Sequence, residues 1–162
     1  MKIALASDHG GYRLKEKIKD YLAELGFEHE DFGTFSDASV DYPDFGVKAA
    51  VAVAKGKFPM GILVCGTGIG MAIVANKVPG IRAALCTDTF MARCSREHNH
   101  ANILVLGERV IGEGLAKDIV DIWLKTEPGG GRHQNRVAKI INIEAMYGGG
   151  AEIESGRDCS PS

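Results

Sequence analysis

Short apolar runs alternate along the chain with longer stretches whose apolar residues recur at helical spacing. Ile3-Ala4-Leu5-Ala6 is the first run and reads as a buried strand. From Tyr12 onward, Leu14, Ile18, Tyr21, Leu22 and Leu25 fall on one helical face, and Gly26 is a stop signal. Residues 27–32 make a second, more polar strand that belongs near a sheet edge. Phe45 to Ala54 is an Ala/Val-rich helix, with Pro43 where a first-turn proline belongs. Gly61 to Cys65 is a third strand, followed by a short helix from about Met71 to Val78 that Pro79-Gly80 stops. Ile81 to Leu85 is a fourth strand, residues 89–98 a fourth helix, and Asn102 to Leu106 a fifth strand. A helix with Leu115, Ile119, Ile122 and Trp123 on its buried side closes the series.

Strand–helix units in succession predict an α/β fold, a three-layer α/β/α sandwich around a Rossmann-like, five-stranded parallel sheet. Four of the five strands are nearly all apolar, as strands covered on both faces are. After Pro128-Gly129-Gly130-Gly131 a last helix is expected over about 132–147. Its Val137, Ile140, Ile141, Ile143 and Met146 spread around more than one face, so it reads as an arm packing on a partner subunit. Residues 1–147 are thus read as one domain, and residues 148–162, with little to bury, as a disordered tail.

Lys and Arg number 19 against 21 Asp and Glu, a net charge of -2 that argues against non-specific nucleic-acid binding. Glycine is the outlier, 21 of 162 residues, about twice the ordinary usage of roughly 7%. That excess points to turns where backbone approaches a ligand. Cys65, Cys86, Cys94 and Cys159 show no CxxC spacing, which fits a reducing, cytoplasmic setting better than a disulfide or zinc framework. Asp8 follows the first apolar run too soon for a signal peptide. The uncharged window 58–76 contains Pro59 and four glycines and reads as strand, loop and helix, not as a membrane span.

Open parallel sheets bind ligands outside the carboxyl ends of their strands. The first strand ends at Ser7-Asp8-His9-Gly10-Gly11, the third at Cys65-Gly66-Thr67-Gly68-Ile69-Gly70, and the fifth at Gly107-Glu108-Arg109. Polar and glycine-rich residues therefore gather on one rim. The loop after Cys65 is neither a dinucleotide fingerprint nor a cysteine-phosphatase loop, because Met71 stands where each needs another residue, and no P-loop Gly-Lys-Ser/Thr run exists. What remains is three alternate glycines opening a helix, with N–H groups free for an anion or a developing oxyanion. A buried cysteine is usually structural, and Cys86 and Cys94 are read so. Cys65 sits at a strand end beside a helix N-terminus, where thiolate is favoured, and is the candidate nucleophile or base. His98 closes the fourth helix, where a histidine is equally at home as a dipole partner. Arg132 and Arg136, four residues apart, oppose the dipole of the last helix's first turn, a conflict that an anion held with Arg109 would resolve.

Taken together these segments resemble the B-type ribose 5-phosphate isomerases, the family that also holds the galactose 6-phosphate isomerase subunits. The matching segments include Ser7–Gly11, Asp41-Tyr42-Pro43-Asp44, Cys65–Met71, Ala75-Asn76-Lys77, Gly80–Ala84, Glu97-His98-Asn99, Leu106–Arg109 and Gly131–Arg136, in order over about residues 1–147. The resemblance implies interconversion of ribose 5-phosphate and ribulose 5-phosphate through an enediolate, a step of the non-oxidative pentose phosphate pathway, with no metal or organic cofactor. It implies Cys65 as the base; some relatives use a glutamate at the place of Met71. It gives His98 ring opening, Asp8 and His9 the substrate oxygens or phosphate, and Thr67 with the N–H groups of Gly66, Gly68, Ile69 and Gly70 the enediolate. Asn99, Arg109, Arg132 and Arg136 would grip the substrate, largely from a partner subunit, and Tyr42 would line the site. A homodimer with a shared site is implied, with a tetramer left open. Two alternatives remain: preference for a six-carbon phosphate (allose 6-phosphate or galactose 6-phosphate), and a non-catalytic phosphosugar-binding module.

Overall fold

In a computed structural model of the protein, described over residues 1–148, five strands and six helices alternate. The strands are β1 (Lys2–Ser7), β2 (Glu28–Asp31), β3 (Met60–Cys65), β4 (Ala83–Leu85) and β5 (Ile103–Gly107). The helices are α1 (Tyr12–Glu24), α2 (Tyr42–Ala54), α3 (Ile69–Ala75), α4 (Thr89–Glu97), α5 (Glu113–Lys125) and α6 (Arg132–Tyr147). All strand pairs are parallel, in the order β2-β1-β3-β5-β4. The polar strand β2 does lie at an edge, its side chains alternately exposed and half-buried. The tail, from residue 149 on, lies outside the described residues.

Strand alternation divides the core into two. Ile3, Leu5, Ile62, Val64, Leu104 and Leu106 face α1 and α5 and pack with Leu14, Ile18, Leu22 and Trp123. Ala4, Ala6, Leu63, Cys65, Ile103 and Val105 face the other way, onto Ala49, Ala50, Val53 and Met71 of α2 and α3. Alanines on that side let α2 come close to the sheet.

Several boundaries differ from the sequence reading. The second helix starts at Tyr42 instead of Phe45, because Pro43 is accommodated in its first turn. The third starts at Ile69 because Gly68, at φ +81, turns the chain directly into it. It ends at Ala75, where the Asn76 amide donates to the Ala72 and Ala83 carbonyls and accepts from the Ala83 N–H. That amide meets the chain where β4 begins, so β4 is three residues long and half-buried, not a five-residue buried strand. On α5, Leu115 is exposed and Ala116, Ile119, Val120 and Trp123 form the buried stripe. No helix among the described residues is long and apolar enough to cross a membrane.

Candidate active site

The carboxyl ends of β1, β3 and β5 lie side by side, with Ser7 paired to Val64 and Cys65 to Gly107. Cys65 therefore occupies the centre of the rim. It is buried, and its Sγ accepts the Gly68 N–H at 3.1 Å. Beyond the strands the pairing continues, the Glu108 N–H donating to the Cys65 carbonyl and the Arg109 N–H to the Gly66 carbonyl, each at 2.9 Å. The Arg109 side chain consequently lies over Gly66, where an added Cβ would stand 3.4 Å from its guanidinium carbon.

Glycines make this crowding possible. A Cβ on Gly11 would lie 2.5 Å from the Val64 carbonyl carbon, and one on Gly107 would lie 2.6 Å from the Thr67 carbonyl carbon and oxygen. Side chains at either position would push the Asp8–Gly11 loop or the Thr67 loop away from Cys65. Asp8 is buried and its Oδ1 accepts the Gly11 N–H at 3.0 Å. Thr67 is exposed, with its Oγ1 accepting the Ile69 N–H at 3.3 Å. The Tyr42 ring lies against Gly70, whose would-be Cβ falls 2.9 Å from ring carbons. His9 is tied to Val40, its Nδ1 lying 3.2 Å from both the Val40 N–H nitrogen and carbonyl oxygen. Glu108, which the sequence reading left without a role, accepts the Leu14 N–H at 2.9 Å and so caps α1 against the β5 loop.

One chain thus brings together Asp8, His9, Tyr42, the Cys65–Gly70 loop and Arg109. It does not bring His98, Asn99, Arg132 and Arg136 to them. Helix α4 leaves the carboxyl end of β4 and runs back to the start of β5, so its C-terminal residues stand at the opposite edge of the sheet. There the Gly129 N–H donates to the Glu97 carbonyl at 2.9 Å and His100 Nε2 meets the Gly129 carbonyl at 2.7 Å, which seats the start of α6 beside His98. The His98 and His133 rings stack at 4.3 Å between centroids and 2° between planes. Sequence reasoning found no use for His133; its place four residues before Val137, the buried residue of α6, was the available signal. Desolvation, with His98, Arg132 and Arg136 nearby, holds the His133 pKa below its ordinary value despite the opposing pull of Glu97. Asn99 lines a cavity of about 800 Å³ between α6 and the β4 edge, with Asn76, Lys77, Arg82 and Ile140, and no residue of the Cys65–Gly70 loop lines it.

Ligand atoms of Glu97, His98 and His133 lie within 4.8 Å of one another. The parallel rings, however, keep their nitrogen lone pairs in two separate parallel planes, so these cannot converge on one ion unless a ring tilts. Two exposed guanidiniums on the same turn of α6 add positive charge.

Comparison with known proteins gives a consistent result. The family model described as Ribose/Galactose Isomerase matches residues 3–140. The chain is similar to the structure of Clostridium thermocellum ribose-5-phosphate isomerase B, with 62% identity and a TM-score of 0.89 over 91% of this chain and 99% of that one. It is 50% identical to ribose-5-phosphate isomerase B of Escherichia coli (strain K12) over 88% of this chain and 96% of that protein. It is 46% identical to D-erythrulose-4-phosphate isomerase of Pectobacterium atrosepticum over 86% and 93% respectively.

Proposed function

The chain belongs to the ribose/galactose isomerase family, and from that premise we propose that it interconverts ribose 5-phosphate and ribulose 5-phosphate at a site shared between two copies. Opening the sugar ring exposes the C1 aldehyde. The Cys65 thiolate then takes the proton from C2, the C–H electron pair forms the C1–C2 double bond, and the carbonyl pair moves to O1. Transfer of the O2 proton to O1, followed by return of the thiol proton to C1, leaves the ketose carbonyl at C2. The charge that develops on oxygen needs donors fixed in advance, and the N–H groups of the Gly66–Gly70 loop with the Thr67 hydroxyl supply them. Asp8 and His9 hold substrate hydroxyls or phosphate beside that loop, and Tyr42 closes its far side.

The observation that carries this reading is the buried Cys65 sulfur at the centre of the rim with a backbone N–H already on it. On this reading the opposite edge of a second copy supplies His98 for ring opening and Asn99, Arg132 and Arg136 to complete the phosphate grip of Arg109. A two-fold dimer laying the α6 edge of one copy over the rim of the other completes two equal sites. Ile140, Ile141, Ile143 and Met146, exposed on α6 in the single chain, supply the apolar contact. A phosphorylated sugar and the free cysteines 65, 86 and 94 agree with a cytoplasmic setting.

Ribose 5-phosphate turnover in EDTA tests the assignment. Replacing Cys65 by Ala is expected to lower kcat by about 10²–10⁴-fold, the range of a lost general base. Persisting activity in folded Cys65→Ala would move the base elsewhere. Four- and six-carbon phosphates in the same assay, including erythrulose 4-phosphate, establish which chain length the site prefers.

A further inference from the structure

Lys15, in the first turns of α1, is fully buried on the same side as Leu14, Ile18 and Leu22. An ammonium has three N–H donors, and three acceptors surround this one. They are Asp31 Oδ1 at 2.7 Å, Asp31 Oδ2 at 2.6 Å and the Thr34 carbonyl at 2.6 Å. The Tyr12 and Phe35 rings flank the charge at 5.6 and 5.2 Å. Burial alone would raise the Asp31 pKa, but hydrogen bonds from Lys15, the Gly33 N–H and Lys19 outweigh it and hold the carboxyl below its ordinary value.

A buried ion pair is a weak stabiliser, because desolvation of both charges offsets their attraction. Its location is more telling. Asp31 ends β2, and the chain then crosses the rim to Tyr42. Gly33 and Thr34 pair with Ser7, the Ser7 N–H donating to the Gly33 carbonyl at 2.6 Å and the Thr34 N–H to the Ser7 carbonyl at 2.7 Å. Residues 35–39 are exposed. Val40 then meets the His9 ring, and Tyr42 lies against Gly70. The crossing segment is therefore moored at Lys15, at the Ser7 backbone and at the site itself.

Resting on the proposed isomerase reading, we infer that Lys15 is a positioning residue, which acts through Asp31 and Thr34 to hold the 31–42 segment so that His9 and Tyr42 face the Cys65 loop. Lys15 touches no substrate in this arrangement. Cys65 stands on β3, which the ion pair does not hold, so substrate binding depends on Lys15 more than the chemical step does.

The test is steady-state kinetics of Lys15→Met on ribose 5-phosphate, well below its unfolding temperature, with Lys2→Met as control. Lys2 makes an exposed pair with Glu30 at 2.7 Å, joining β1 to the same strand β2. For Lys15→Met, kcat/KM should fall on the order of 10- to 100-fold, mostly through KM, with Lys2→Met unchanged. A folded Lys15→Met with wild-type kcat and KM, and only a lower unfolding temperature, would overturn the inference. Should Lys15→Met not fold, Asp31→Asn is measured instead; its single oxygen still accepts the Gly33 N–H and one Lys15 N–H, while its NH2 replaces the second acceptor with a donor. A KM raised by roughly threefold is expected there, and an unchanged KM overturns the inference equally. Wild-type protein without turnover would instead strike the isomerase reading, and this inference would fall with it.

Discussion

The two edges of the sheet are built in opposite ways. At the carboxyl edge every backbone approach is tight: loops from β1, β3 and β5 touch through glycines, Asp8 is buried, and Cys65 has its donor in place. At the amino edge Arg132, Arg136 and Asn99 are exposed, and the His98–His133 stack stands beside a helix with a bare apolar flank. On the proposed reading, the first edge abstracts the proton and stabilises the oxyanion, and the second supplies the exposed cationic side chains that hold the phosphate. Preorganisation is costly to arrange across a mobile contact, so chemistry that depends on it is best kept within one chain. Long cationic side chains tolerate adjustment and can be delivered by a partner. On the proposed reading, this division of labour is what makes the two edges halves of one site.

Disturbing the tight edge should produce the larger effect. In Gly107→Ala the new Cβ meets the Thr67 carbonyl, and the loop must move off Cys65. We expect about 1–3 kcal/mol of lost stability from overpacking, together with a kcat lower on the order of 100-fold from misplaced donors. Thermal unfolding and turnover measured on one preparation check both; wild-type kcat would show that the rim is less preorganised than its packing implies. Disturbing the loose edge should leave stability alone. Arg132→Ala removes an exposed side chain, so unfolding should stay within about 0.5 kcal/mol. Lost charge-assisted hydrogen bonds to phosphate should lower kcat/KM by roughly 10- to 150-fold, mainly through KM. Unchanged kinetics in folded Arg132→Ala would remove the amino edge from the site.

The same contrast governs what could be read from the sequence. Strands buried on both faces announce themselves as apolar runs, and the rule placing ligands at carboxyl ends then located Asp8, Cys65, Thr67 and Arg109 without knowledge of side-chain positions. Glycine did the rest, since the residues that allow close approach are visible as letters. Lys15 was not legible, because a lysine beside an apolar stripe ordinarily reads as its polar border, and Asp31 is sixteen residues away. Leu115 falls at helical spacing four residues before the buried Ile119, yet it is exposed and its neighbour Ala116 is the buried residue of that turn. Periodicity had no means of showing that His98 and His133 stack, since their contact depends on how the Gly129–Gly131 turn folds α6 back onto α4.

On the proposed reading Cys65 of one copy works with His98 of another, and mixing two inactive variants shows whether it does. Cys65→Ala and His98→Asn would each be purified, combined in equal amounts, unfolded together and refolded, then assayed on ribose 5-phosphate. Random pairing makes half the dimers mixed, and each mixed dimer has one site with both residues intact, so roughly a quarter of wild-type activity should return. A mixture no more active than its components, with mixed dimers demonstrably formed, would contradict the shared site.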